Sequence, residues 1–325
     1  MNAIKTDSCR AGLTRRELVV GTAAAGLLAT GLVPAAASDE GTVPNSSGTA
    51  HPRHKAPAGA ADCHIHVLDP RFPTAKSGQT LAPGMTAADY RLLQKRNGTS
   101  RVVIVQPKPF GTDNRCIIDA VSQFGGNARG IAVIKPDVAE ADLKAMNDKG
   151  IRGVRFSVWN AADAVVGIDM IEPVARRIAP YGWHVQLHMS GDQAVENAAM
   201  LKRLPCPMVF DHMGRLPPEV GPAHPAFKLI VSLVEQDKAW VKLAGAYLNT
   251  RIGPPEYADA TRIARAFVAA VPDRLVWGSD WPHTTEKKHK PDDALLFDLL
   301  AVWAGDEKTR KRILVDNPKK LYGFV

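Results

Sequence analysis

Two short stretches of the chain carry side chains that could activate water. Asp62-Cys63-His64-Ile65-His66 ends an apolar run on two histidines one residue apart. Trp277-Gly278-Ser279-Asp280-Trp281-Pro282-His283 ends another, Arg274 to Trp277, on an aspartate. In an extended strand alternate side chains share a face, so His64 and His66 point the same way. A carboxylate set against imidazoles is a general base for hydrolysis, provided the fold brings the two stretches together.

The elements that would do so alternate along the chain. Ala60–Val67, Arg101–Gln106, Gly130–Ile134, Arg152–Phe156, Trp183–His188, Met208–Asp211, Trp240–Leu243 and Leu275–Ser279 are short, β-branched and almost continuously apolar. That is the pattern of parallel strands buried on both faces. Each is followed by a helical segment with mixed faces: Ala87–Arg96, Asp113–Phe124, Ala139–Lys149, Met170–Pro180, Ala194–Leu204, Ala226–Gln236, Tyr257–Val271 and Asp293–Ala304. Eight such units predict a (β/α)8 barrel over residues 59–325, with a last helix, Asp306–Leu321, against its base.

Chemistry in such a barrel sits at the C-terminal ends of the strands. Those positions hold His64 and His66, Gln106 and Lys108, Arg155, His188, His212 and Arg215 in Asp211-His212-Met213-Gly214-Arg215, Lys242 and Tyr247, and Asp280. A single histidine there is ordinarily structural. Four histidines and an aspartate at one end of one barrel are a functional set. His184, earlier in its strand, reads as core or rim, and Trp277 as packing.

The N-terminus reads as an address. Thr14-Arg15-Arg16-Glu17-Leu18 is a twin-arginine signature, followed by an Ala- and Gly-rich apolar run from Val19 to Val33 and by Ala35-Ala36-Ala37. Residues 1–37 are therefore expected to be a twin-arginine signal peptide, and the protein to be periplasmic or secreted, with the export machinery as a partner. The run is too short and too rich in glycine for a membrane span. Residues 38–58 are polar and rich in Gly, Pro and Ser, and read as a flexible linker. The formal charge is +8, of which residues 1–37, with Lys5, Arg10, Arg15 and Arg16 against Asp7 and Glu17, contribute +2. The remaining charges are interspersed, which argues against nucleic acid and suits an anionic small molecule. Cys63, Cys116 and Cys206 are an odd set and read as buried thiols.

Asp62-Cys63-His64-Ile65-His66, Gly111-Thr112-Asp113-Asn114, Gly150 to Phe156, Asp211 to Arg215, Trp277 to His283 and Asp316-Asn317-Pro318 together resemble the amidohydrolase superfamily. They are most similar to its lactone-processing branch of pyrone-dicarboxylate and sugar-lactone hydrolases and a galactarolactone isomerase. The resemblance implies a hydrolase that opens a carboxylated sugar-acid or muconolactone-like lactone. Asp280 would activate water, with His64, His66 and His212 stabilising the oxyanion. Arg155, Arg215, Lys108, His188 and Tyr247 would bind substrate. Two further arginines of the pyrone-dicarboxylate pattern would fall near Ala161 and Leu248 and are absent, which speaks against a dicarboxylated pyrone. The isomerase pattern has Asn where this chain has Asp280, which favours hydrolysis. On cofactors two readings stand: none, or one divalent ion, zinc first, held by His64, His66, His188 and Asp280. An isomerase, a metal-dependent decarboxylase and a non-catalytic periplasmic binder are the alternatives.

Overall fold

The computed structural model describes residues 42–325. Eight parallel strands follow one another in order: β1 Ala61–Ile65, β2 Arg101–Val105, β3 Ala128–Ala132, β4 Ile151–Ser157, β5 His184–His188, β6 Met208–Phe210, β7 Ala239–Ala244 and β8 Leu275–Gly278. Helices α1 Ala87–Asn97, α2 Arg115–Phe124, α3 Glu140–Asp148, α4 Ile171–Ile178, α5 Gly191–Glu196, α6 Ala198–Arg203, α7 Pro225–Glu235, α8 Ala258–Ala270 and α9 Asp293–Ala304 connect or follow them. This is the expected (β/α)8 barrel. The helix expected over Ala194–Leu204 is two short ones that meet at Asn197. The C-terminal helix is α10 Glu307–Lys311, a π-helical turn over Arg312–Asp316, and α11 Asn317–Tyr322.

The barrel closes without a regular β8–β1 ladder. The contact is a single parallel bridge between Ile65 and Trp281, with Asp280 N–H on the His64 carbonyl at 2.9 Å and His66 N–H on the Trp281 carbonyl at 2.8 Å. Below it the Asp62 carboxylate stands in for ladder bonds. Its Oδ1 accepts from the backbone N–H of Ser279 at 2.9 Å and of His64 at 3.2 Å, while Oδ2 accepts from the Tyr90 hydroxyl at 3.2 Å. Glycine at 278 permits this closeness, since a Cβ there would lie 2.6 Å from that of His64. The seam therefore sets the stretches Asp62 to His66 and Trp277 to His283 side by side.

The inside of the barrel is layered. Ala61, Cys63, Val103, Val105, Ile131, Val209, Trp240 and Val276 pack with Tyr322 and Phe324, so the C-terminal residues plug the base as expected. All three described cysteines are buried and free. Residues 42–58 do not form the expected loose linker. Val43 is buried, Arg96 donates to the Ala50 and Ser47 carbonyls, and Asp298 accepts the backbone N–H groups of Arg53 and His54 at 3.0 Å. Composition misled because the fixing groups, on α1 and α9, are remote in sequence. The signal-peptide expectation lies outside the described residues.

Candidate active site

Three strand-borne polar layers rise along β5. His184 lies lowest, Gln186 in the middle and His188 at the top, all on one face by two-residue alternation. The middle layer is a buried network. Lys242 Nζ donates to Gln186 Oε1 at 2.8 Å and lies 3.3 Å from both Asp211 Oδ1 and His64 Nδ1. Gln186 Nε2 donates to Asp211 Oδ2 at 3.0 Å. Burial pulls the Lys242 ammonium down from its ordinary range, while Asp211 opposes. This network is the floor on which His64 stands. Lys242 and Asp211 of it stand among the strand-end residues read from the sequence, though Asp211 was given no role there, and Gln186 does not.

Above the floor, the four residues expected to be catalytic come together. Asp280 Oδ1 lies 3.5 Å from His64 Nε2 and 3.7 Å from His66 Nε2. The His64 ring centroid is 5.0 Å from those of both His66 and His212. Burial alone raises the Asp280 carboxyl, but His212, His64, His66 and the Tyr247 hydroxyl outweigh it and hold the group below the usual carboxylate range. Burial, reinforced by Lys242, keeps His64 far below its usual value, and burial with Arg155 brings His66 down to about 4. His188 and His212 are lowered too, first by burial. At neutral pH the site is thus a carboxylate among neutral imidazoles. The tautomer of His66 follows from its neighbour. Nδ1 is 2.8 Å from the Val105 carbonyl, which only accepts, so Nδ1 carries the proton and Nε2 offers a lone pair toward Asp280.

Backbone strain is concentrated here. Asp280 (φ 66°), His212 (φ 51°), Arg215 (φ 48°) and His283 (φ 54°) are all left-handed without being glycine, a conformation that only a well-determined surrounding structure maintains.

The expected substrate-binding residues divide into two groups. Arg155 is buried, with Nε 3.4 Å from Asp211 Oδ2. With Gln106, Lys108 and Ser157 it lines a cavity of about 10 Å³, room for one water. Arg215 donates to the Leu248 carbonyl at 2.7 Å, and its guanidinium lies 4.5 Å over the Trp159 ring, which is 48% exposed. His188 also stacks on Trp159, and its Nδ1 takes a Ser157 contact at 3.0 Å. Arg155, Arg215 and the half-buried Lys108 make this wall cationic. Tyr247 differs from expectation. Its hydroxyl donates to Asp280 Oδ2 at 2.5 Å and is engaged by that carboxylate. Gln106 likewise turns its amide to the Gly111 and Asp113 carbonyls and holds a loop.

His64, His212 and Asp280 each bring one ligand atom within 4.8 Å of the others, and all three are buried. His64 Nε2 and His188 Nε2 find no hydrogen-bond partner among the described residues. A histidine–histidine–carboxylate trio of this kind fits a divalent ion. It is not the expected set, since His212 enters while His66 and His188 stand outside. His66 is turned by the Val105 carbonyl, and His188 by Ser157, its ring 5.0 Å beyond that of His212. Sequence reasoning quoted His283 within the Asp280 stretch without giving it a role, and missed Asp293. His283 Nδ1 is 3.1 Å from the Tyr247 hydroxyl, and its Nε2 is 3.0 Å from Asp293 Oδ2. Its place in the Trp277 to His283 motif, three residues after Asp280, was the signal that could have given it a role.

Known proteins share this architecture. A 2-pyrone-4,6-dicarboxylate hydrolase of Comamonas testosteroni is 35% identical over 281 residues, covering 83% of this chain and 92% of its own. A 4-sulfomuconolactone hydrolase of Hydrogenophaga intermedia is 36% identical, covering 83% and 90%. A D-galactarolactone isomerase of Agrobacterium fabrum is 31% identical, covering 85% and 94%. The apo crystal structure of an Agrobacterium tumefaciens protein superposes with a TM-score of 0.80 at 29% identity, over 86% of this chain and 99% of that one. The amidohydrolase family itself matches residues 61–324. A match running from the first residue of β1 to the penultimate residue makes the chain a member of the amidohydrolase family.

Proposed function

We propose that the protein hydrolyses an anionic lactone with water deprotonated by Asp280. One observation carries the reading. Asp280 Oδ1 and the His66 Nε2 lone pair, both acceptors, face each other across 3.7 Å. Two acceptors so placed suit a donor with two protons, which is water. The names of the relatives support the reaction class, since they act on rings that carry carboxylate or sulfonate, or on a sugar-acid lactone. The cationic wall of Arg155, Arg215 and Lys108 supports the charge of the substrate.

In the reaction Asp280 takes one proton as the water oxygen bonds to the lactone carbonyl carbon. The developing oxyanion is met by the imidazoles of His64 and His212, while the His66 Nε2 lone pair accepts the second proton of the water. The ring C–O bond then breaks, and Asp280 returns its proton to the departing ring oxygen. The product carboxylic acid loses its own proton to solvent. A divalent ion, when bound, would be held by His64, His212 and Asp280 and would supply Lewis-acid polarisation.

Proton NMR of the protein incubated with carboxylated five- and six-membered lactones, with and without a chelator, tests this. Ring-opened acid is expected. A migrated lactone without open acid would make the protein an isomerase, and no change in any lactone would remove the hydrolytic reading. Export through the twin-arginine pathway to the periplasm or beyond is the accompanying proposal, supported by Arg15 and Arg16. Lysine at both positions is expected to retain the protein in the cytoplasmic fraction.

A further inference from the structure

Four side chains from separate parts of the fold form an unbroken chain of contacts into the base. Asp293, the first residue of α9, meets His283, which meets Tyr247 after β7, which meets Asp280 after β8. The side chains of His283 and Asp293 have no solvent exposure. The hydrolytic mechanism above uses neither. The His283 ring stands edge-on to that of Tyr247, centroids 5.2 Å apart, so the tyrosine is fixed by packing as well as by hydrogen bonding.

A phenol has one proton to give. The Tyr247 hydroxyl faces two groups, Asp280 Oδ2 at 2.5 Å and His283 Nδ1 at 3.1 Å. The carboxylate can only accept, so the hydroxyl proton points to Asp280 and the phenol oxygen is left to accept from His283 Nδ1–H. Asp293 Oδ2, at 3.0 Å, accepts from His283 Nε2–H, so the ring donates from both nitrogens with the Asp293 carboxylate as its counter-charge, and its plane is fixed. The consequence falls on Asp280. Oδ2 is occupied by the phenol, and Oδ1, the oxygen that faces His64 and His66, is the one free to take the proton of water.

Resting on the hydrolytic reading, we propose that His283 and Asp293 are positioning residues. Through Tyr247 they hold the Asp280 carboxylate in the one orientation that presents Oδ1 to water. A carboxylate without this tether rotates about its terminal torsion, a broad two-fold well that does not itself select an oxygen. The effect belongs to the chemical step and leaves substrate binding largely untouched.

The test is a double-mutant cycle on the lactone opened fastest in the NMR panel. Tyr247→Phe and His283→Phe are each expected to lower kcat about tenfold with KM within about twofold, the scale of one hydrogen bond in the transition state. The double variant is expected to be no slower than Tyr247→Phe alone, because both break one chain. His283→Asn, whose amide reaches the Nδ1 position, is expected to recover most of the loss. Should His283→Phe fail to fold, the near-isosteric Asp293→Asn serves: slower when Tyr247 is intact, neutral when combined with Tyr247→Phe. A readout independent of turnover is the hydroxyl proton of Tyr247. It is expected far downfield in the proton spectrum, absent in Tyr247→Phe and displaced in His283→Phe and Asp293→Asn. Multiplying losses, a change in KM in place of kcat, or an undisplaced resonance would overturn the proposal. Asp280→Asn separates the two readings. Full hydrolysis by that variant removes the base itself, whereas its inactivity beside a His283→Phe enzyme of wild-type kcat removes only the tether.

Discussion

His184 and His188 lie on the same face of the same strand, four residues apart, and have opposite surroundings. His184 sits at the base, edge-on to Tyr322 with centroids 5.6 Å apart, in space left open by Gly153. His188 sits at the top, between Ser157, Trp159 and His212. His184 is buried and His188 half-buried, and both are held below the usual imidazole range, first by burial. A shifted histidine therefore does not by itself mark a site. What separates the two is the buried Lys242–Asp211–Gln186 floor between them, with an apolar plug below it and a cationic, strained rim above.

If the floor divides stability from chemistry, changes below and above it should be separable. Tyr322→Ala is expected to cost about 3–5 kcal/mol in denaturant unfolding, the range for emptying a large aromatic site, while the folded protein keeps its kcat. A proportional loss of kcat would show the two ends to be coupled. Asp280→Asn is expected to do the converse, lowering kcat at least ~10²-fold with little change in Tm. Arg215→Met is expected to raise KM about tenfold on a carboxylated lactone and to leave that on its methyl ester unchanged. An equal rise on both would assign Arg215 to shape rather than charge.

The smallest expected effect is on the pH dependence of stability. His184 titrates at about 3 in the folded protein against 6.5 ordinarily, through burial and then Lys242. Between those values the unfolded chain binds the extra proton, so stability falls as pH drops through 6.5. Asp62, raised to about 6 by burial, has the opposite sign and stabilises as pH falls through 6. From pH 7 to 6 each imidazole should cost less than ~1 kcal/mol. His184→Leu should flatten the fall in unfolding free energy over that range, and an unchanged slope would place the acid sensitivity wholly in the upper site.

The barrel was legible because buried parallel strands are written as apolar runs, and the residues that end them stand out. His64, His66, His212, Asp280, Arg155 and Arg215 all emerged that way. Roles were harder than places. Tyr247 is where a substrate contact would be expected, yet its partner is Asp280, a choice made by backbone turns after β7 and β8. His283 and Asp293 lie in a loop and at the start of a helix, ten residues apart, with no periodicity to link them. The Asp211–Lys242–Gln186 floor joins three strands whose pairing determines who meets whom. Residues 42–58 look like a linker by composition because the acids and arginines that fix them are far away in sequence.

That last segment changes where the working enzyme begins. Family similarity starts at residue 61, and a truncation made there would look complete. It would remove the Pro44 carbonyl, which accepts the Trp281 indole N–H at 2.8 Å, and the Ser46 hydroxyl, which accepts the Asp293 N–H at 3.3 Å. Trp281 follows the base directly, and Asp293 anchors its tether. The stretch ahead of the barrel thus braces the segments that carry Asp280 and Asp293, and the smallest fragment with full activity is expected to contain it.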